Sequence, residues 1–326
     1  MAAITNSSVV IPVEYSTQIL RGVLGRSKAL ELGYRLPNMR GNTMVLNVLN
    51  HLPVADWVVN SSTPVGAPEE IKDKPVSQLA WQGKEVVAKE IAVIVPVAIN
   101  TLRDLQGNAI QLVPELSEQV IGAFDQVIDS AVFFGHRAPY AGYYGIVSEA
   151  TTAGATVSWN GQGGTSFYEA INAAMTFVEN SGYYPDAILG GPSLNGAFRS
   201  GITNLGVLST DQGEIGALPR HIDLTGGFNQ SSAFAIVGDF KRGLVYSIRE
   251  EMELRVLYEA TIKDGSVEYN LAQQDMVAFR FTMRLGFAIA NPVNRVSGTL
   301  SSDGKYIEKG ASAYPFAVIT KTGASA

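Results

Sequence analysis

The stretch PELSEQVIGAFDQVIDSAVFF, residues 114–134, carries the strongest pattern in the chain. Pro114 stands in its first turn, where a missing N–H costs nothing. Glu115 and Glu118 suit the positive end of a helix dipole. Leu116, Val120, Ile121, Phe124, Val127, Ile128 and Ala131 recur at spacings of three and four, which gives one apolar face. Gly135 follows as a left-handed stop. At 1.5 Å per residue the helix would be about 30 Å long, enough to serve as the spine of a flat subunit. Asp125 and Asp129 are spaced i, i+4. Two carboxylates so placed could do acid–base work, but they are expected on a solvated face opposite the apolar stripe.

Upstream, the pattern turns to strand. Residues 43–59 and 79–95 both read as β, with Trp57 in the first and Trp81 in the second. Between them, Asn60 to Ser77 is polar, charged and interrupted by prolines, which suits an exposed hairpin tip. Arms of about 15 residues would project about 50 Å. A two-stranded hairpin is marginal by itself in water, so this one is expected to pack on a partner chain. Trp57 and Trp81 either pack locally between the arms or anchor into a partner, as tryptophan does at interface hot spots. Residues 1–36 read as an extended arm. Val9 to Pro12 is β-like, and Ile19, Leu20, Val23 and Leu24 recur at helical spacing after Ser16. Such an arm needs its own body or a neighbour to lie on.

Downstream, residues 136–164 are rich in Gly, Tyr and Thr and read as loop or irregular strand. A helix near Phe167 to Asn180 follows, with Ser166 and Glu169 at capping-box spacing and Gly182 beyond its end. Asp186 to Gly190 reads as a buried strand, and Ser193 as the N-cap of a helix through Phe198. The last third returns to β. Ala233 to Val237, Leu244 to Ile248 and Leu254 to Tyr258 are three short strands. Val277, Phe279, Phe281, Met283, Leu285, Phe287 and Ile289 alternate over the next. Beyond Pro292 a small β add-on turns at Asp303-Gly304. The class is α+β.

Composition narrows the function. Of 326 residues 46% are hydrophobic and 17% charged, so a large core can form and disorder is not expected. There is no cysteine, which excludes disulfides and thiolate metal sites. The net charge is −6, and no basic patch or tail stands out as a grip on nucleic acid. Met1 to Pro12 lacks the basic and apolar regions of a signal peptide, and no apolar run reaches the roughly 20 residues of a membrane span. Expected, then, is a soluble protein made in the cytosol. The sequons at Asn6, Asn60 and Asn229 carry no glycosylation meaning in that setting.

Catalytic motifs are missing. No phosphate-cradling Gly-x4-Gly-Lys-Ser/Thr occurs, and Gly161-Gln-Gly163-Gly164 has the wrong spacing for a dinucleotide fingerprint. His51, His136 and His221 lie far apart without ligand spacing. Ser193 superficially suggests a nucleophile elbow, but Asn195 stands where the second glycine belongs. Arg280 and Arg284 alternate with apolar residues; they could clamp an acidic ligand, but pairing with carboxylates across strands or subunits is expected. No cofactor, metal site or catalytic group is predicted.

The order of pieces resembles the tailed-phage major capsid proteins with the HK97 fold. Val9 to Gly22 looks like that family's arm, and Leu36 to Thr43 its link into the hairpin. Ala55-Asp56-Trp57-Val58 resembles the outgoing strand and Lys84 to Val95 the return. Asp125 to Gly135 is similar to the end of the spine helix. Val237 to Phe240 and Gln274 to Arg280 resemble late strands. The resemblance covers residues 5–293. It implies an N-arm at 1–36, an E-loop hairpin with its base strands at 37–95, and a discontinuous P-domain at 96–140 and 241–293. An α/β A-domain at 141–240 follows, and 294–326 is left as a C-terminal β extension, either a surface decoration or an added intersubunit contact. It implies self-assembly into pentamers and hexamers of an icosahedral virion capsid, made in the host cytoplasm. Packaged double-stranded DNA would be enclosed without specific binding, with no catalysis and no membrane. Scaffolding, portal and decoration proteins are the further partners it allows. The chain starts at the arm, so scaffolding would be a separate protein or the arm itself. Trp57, Lys72, Lys74, Trp81, Lys84, Arg280 and Arg284 are the candidate intersubunit contacts. Some relatives cross-link an E-loop lysine to a neighbour's asparagine, but the rest of that constellation is not matched here. The rival readings are an encapsulin-like compartment shell and, from another class, a metabolic enzyme with an α/β domain.

Overall fold

The computed structural model describes residues 26–57, 74, 76–107, 112–161, 165–199, 214–215, 218–265 and 267–321. The arm residues up to Leu24, the hairpin tip with Lys72, Gly163 and Gly164 of the glycine run, and the sequons at Asn6 and Asn60 lie outside them. In chain order the elements are α1 (Lys28–Leu32), β1 (Tyr34–Arg35), β2 (Thr43–Pro53), β3 (Ala80–Val87), β4 (Lys89–Ala98), α2 (Ile99–Gly107) and α3 (Leu112–Phe134). Next come α4 (Ile146–Thr152), β5 (Thr156–Trp159), α5 (Thr165–Asn180), β6 (Ala187–Gly190), α6 (Ser193–Arg199), β7 (Glu214–Ile215), β8 (Leu218–Ile222) and β9 (Ala235–Gly238). The last are α7 (Phe240–Gly243), β10 (Leu244–Leu257), β11 (Thr261–Asp264), β12 (Val267–Asn270), β13 (Met276–Ile289), β14 (Thr299–Leu300), β15 (Tyr306–Glu308) and β16 (Phe316–Lys321).

The chain divides into two compact units. One comprises Met1–Val23, Ile94–Val120 and Leu254–Arg280; the other comprises Leu24–Val93, Ile121–Glu253 and Phe281–Ala326. This differs from the sequence-based segmentation, because β4, α3, β10 and β13 each run from one unit into the other. In the first unit β11 and β12 form an antiparallel hairpin, Thr261 opposite Asn270. Leu271, 1% exposed, closes its base and donates its N–H to the carbonyl of Ala260.

The second unit holds the main core. A six-stranded mixed sheet runs β5-β16-β9-β6-β8-β7, and α4 and α5 pack on it. The side chains of β6 and β9 are all buried, as are Phe316 to Ile319 of β16. The extension predicted at 294–326 is therefore no peripheral add-on: its last strand lies parallel to β5 on one side and antiparallel to β9 on the other. A four-stranded sheet runs β1-β10-β13-β4. Here β10 is one continuous strand of 14 residues where two short ones were expected. Its charged middle, Glu250 to Glu253, reads as a break in sequence, yet a strand open to solvent on that stretch tolerates it. The alternation expected over 277–289 is present only in part in β13: Val277, Phe279, Phe281, Leu285, Phe287 and Ile289 are buried, but Met283 is half-buried, and Ala278, Gly286 and Ala288 on the other face are buried too.

The spine helix ends where predicted. Gly135 takes φ 67°, and the next residue's N–H closes back on the carbonyl of Ser130. A Cβ on Gly135 would lie 2.4 Å from the Tyr144 carbonyl carbon, and one on Gly145, at φ 92°, 2.4 Å from the Gly135 nitrogen. Two backbones thus touch where neither can carry a side chain. Gly145→Ala is expected to cost about 2–5 kcal/mol from combined backbone strain and overlap. Urea unfolding tests this; a midpoint within error of wild type would show that the crossing relaxes.

Other local readings need correction. Asp125 and Asp129 are not solvated: they are 8% and 0% exposed, while Val127 of the supposed apolar face is 44% exposed. Val120, Phe124, Ile128 and Ala131 of the predicted stripe are buried, so the covered side of the helix is wider than the stripe and takes in the aspartates, over which α1 lies. Ser166 falls inside α5 rather than at its cap. Ser193 opens α6 with its hydroxyl donating to Gln230 Oε1 at 2.7 Å, not capping the helix. The stretch 136–164 contains α4 and β5, which its glycines concealed.

Candidate assembly surface

The hairpin is real but shorter than expected. β2 and β3 pair antiparallel from Thr43 opposite Val87 to His51 opposite Ala80, with a bulge between Leu49 and His51. The eight or nine paired residues span about 27 Å. β2 stops at Pro53, which has no N–H for a ladder; Trp57 therefore lies beyond the strand rather than in it. On the return side the chain leaves the hairpin at Ala88, and β4 joins the other sheet.

The hairpin is also not isolated. β15 pairs with the far end of β2, Tyr306 opposite Pro53 and Ile307 opposite Leu52, giving a sheet in the order β14-β15-β2-β3. His51 stacks on Tyr306 with ring centroids 4.1 Å apart. Ser77 Oγ donates to the Lys305 carbonyl at 2.6 Å and accepts from the Val54 N–H at 2.7 Å. The residues after Pro292 thus brace both arms where the tip begins.

Strand alternation sorts the hairpin into two faces. Met44, Leu46 and Val86 turn inward and pack with Met39, Ala88, Val245 and Ala288. Val45, Leu49 and Trp81 share the opposite face with Glu85. Val45 is 57% and Trp81 62% exposed. Gly83 lets Val45 lie close, since a Cβ there would meet Val45 Cγ1 at 2.9 Å. Trp57, Val76 and Leu79 are likewise exposed.

The other candidates divide. Lys74 is exposed. Lys84 has a partner within the chain: its ammonium donates to the Ile289 carbonyl. Burial holds its pKa below the ordinary lysine value, while the charge of Glu149 pulls the other way. Arg284 spans two elements, donating to Glu250 at 3.1 Å and to Asn42 Oδ1 at 3.0 Å. Arg280 has a buried Nε without a partner. Among the described residues no group of three acidic or histidine side chains could hold a metal ion. His221 lies 3.4 Å from Glu31.

A clasp around Asp129 was missed in sequence. Its Oδ1 accepts from Ser27 Oγ at 2.7 Å and from the Ala29 N–H at 3.0 Å; its Oδ2 accepts from the Lys28 N–H at 3.0 Å. A side chain from a helix about one hundred residues away thus satisfies the first N–H groups of α1, which have no partner within their own helix. Ser27 alone would have been a legible N-cap, accepting from the Leu30 N–H.

The Phage capsid family model matches residues 220–294. No curated protein matches the chain. Solved structures match over its full length. A chain from Microbacterium phage Oxtober96 is 30% identical, with 95% of this chain and 96% of that one covered and a TM-score of 0.76. One from Mycobacterium phage Adephagia is 26% identical over 100% of both, with a TM-score of 0.80. A structure described as "Capsid of empty GTA particle computed with C5 symmetry" shares the fold at 15% identity, with 97% and 99% covered and a TM-score of 0.57. Full-length likeness at 30% identity, the family match over β8 to β13 and the shared mixed α+β fold agree: the chain belongs to the phage capsid family, of HK97-like type, and is a structural protein of the icosahedral virion shell rather than an enzyme.

Proposed function

We propose that the chain builds its shell from pentamers and hexamers that enclose packaged double-stranded DNA, and that the β2–β3 hairpin is the principal reach onto a neighbouring subunit. The observation that carries this is the outward hairpin face, where Val45 and Trp81 are more than half exposed beside Trp57, Val76 and Leu79. Large apolar groups concentrated on one projecting element mark an interaction surface. Trp57, Trp81, Lys72 and Lys74 are the contacts proposed there, and Arg280, whose side chain is half-buried, is a further one. Lys84 and Arg284 are assigned to holding the subunit itself together.

On this reading α3, β4, β10 and β13 belong to a P-domain, and 141–240 belongs to an A-domain whose sheet also takes in β16. Residues 1–36 serve as the N-arm. The net charge of −6 fits enclosure of DNA without gripping it. Purified protein is expected to sediment as capsomers or shells and to show closed particles in electron microscopy. A monomer that persists at high concentration across several salt conditions would sink the reading. Particles that protect DNA from nuclease when made during infection separate this role from that of a compartment shell.

A further inference from the structure

A cleft of about 240 Å³ lies at the base of the β2–β3 hairpin. Asn50, Gln82 and Lys84 of the hairpin line it from one side, and Asn291, Val293 and Lys309 of the segment after β13 from the other. The Val293 N–H donates to the Leu49 carbonyl at 3.0 Å, so a backbone hydrogen bond joins the two sides. Asn291 is committed: it accepts from the Tyr183 hydroxyl at 2.6 Å and donates to the Ala313 carbonyl at 3.0 Å. The lysines are not matched in this way. An ammonium has three donors and no acceptor. That of Lys84 donates to the Ile289 carbonyl, a neutral group. Among the described residues neither Lys84 nor Lys309 makes an ion pair, and Lys309 makes no hydrogen bond. The charge of Glu149 on α4 acts on both lysines, but its Oε2 accepts from the Tyr314 hydroxyl at 3.2 Å. Two cations thus share one carboxylate, in a chain whose net charge is −6.

We propose that this cleft is a binding site for a small oxyanion of phosphate size, held between the Lys84 and Lys309 ammonium groups with amide donors from Asn50 and Gln82, and that the bound ion clamps the hairpin to the segment after β13. The cleft holds the volume of about eight waters, room for one such ion and part of its hydration shell. Both lysines remain open to solvent, so the ion has a way in. Its oxygens supply the acceptors that the lysines lack, and hydrogen bonds between ionised groups are about twice as strong as neutral ones. Burial lowers the pKa of both lysines, and the charge of Lys84 lowers that of Lys309 further. An anion between them replaces this mutual repulsion by attraction to both. The binding itself does not depend on how the subunits assemble.

Isothermal titration calorimetry of the full chain with sodium phosphate, near neutral pH and with ionic strength held constant by sodium chloride, tests this. One saturable site per chain is expected. Lys309→Gln removes a charge from an exposed side chain and should weaken binding about tenfold or more. Glu149→Gln keeps an acceptor for Tyr314 and should tighten binding by removing a competing negative charge. Lys305→Gln, an exposed lysine that does not line the cleft, should bind as wild type does. No saturable heat in the wild type overturns the site, as does Lys309→Gln binding with wild-type affinity. An equal loss in Lys305→Gln also overturns it, since that would be diffuse attraction to surface charge. Hydrogen–deuterium exchange reads the clamp: phosphate should slow exchange at Val293 in the wild type and not in Lys309→Gln. Binding without that slowing overturns the clamp.

Discussion

A chain cut after Gly310 is expected not to fold. The cut removes β16, whose Phe316, Ala317, Val318 and Ile319 are all 0% exposed. Three of these side chains are large, and each contributes about 1.5–3 kcal/mol on burial. β16 also supplies backbone hydrogen bonds on both sides, to β5 and to β9. Its loss would open a gap in the six-stranded sheet and expose two strand edges at once. The ring of Phe316 fills space left by glycines: a Cβ on Gly238 would lie 2.3 Å from its Cδ1, and one on Gly243 2.8 Å from its Cζ. The combined loss is comparable to the whole stability of an ordinary domain, about 5–15 kcal/mol. The truncated chain should be insoluble, or show no cooperative thermal transition by circular dichroism. Phe316→Ala, a milder change, should cost about 3–5 kcal/mol. A soluble truncated chain with a cooperative transition would mean that β5 and β9 close without β16.

Deleting Ser61 to Lys74 should have the opposite outcome, a folded chain that does not close shells. The deletion takes away the hairpin tip but leaves the β2–β3 ladder, the Ser77 link to Lys305 and the braces from β15. Lys74, the described residue within it, is exposed. Thermal stability should therefore change by little, while electron microscopy should show capsomers or free subunits in place of closed particles. The Trp81→Ser variant offers an intermediate case, since Trp81 stays in the ladder yet presents most of its ring to solvent. Normal particles from the deletion would show that the tip is dispensable, and unfolding would show that it is part of the subunit.

The long helix, the hairpin and the alternating strand over 277–289 were legible because each is periodic over enough residues for the period to stand out. The length of the hairpin was not. Val54 to Trp57 continues the reading as strand, and Pro53, where the ladder ends, is a residue that strand edges also tolerate. β10 was split in two for the reverse reason: three glutamates in a row of five residues look like a loop unless one knows that this stretch is open to water. The extension after Pro292 was read as an addition because nothing local announces that FAVIT at 316–320 fits between strands from residues 156 and 235 onward. The Asp129 clasp was illegible for a related cause. An aspartate on the spine helix looks solvated, and its partners lie about one hundred residues away in a turn that carries its own cap. Long-range pairing of this kind leaves no periodic trace.

β16 also has a place in time. It is translated last among the strands of its sheet, and 316 − 238 = 78 residues separate it from the end of the neighbour it pairs with. At about 5–20 residues per second, β9 waits several seconds on the ribosome with an unpaired edge. During that interval the nascent subunit has no finished sheet to present to its siblings. The sheet of a nascent subunit therefore cannot close until residues 316–321 have left the ribosome.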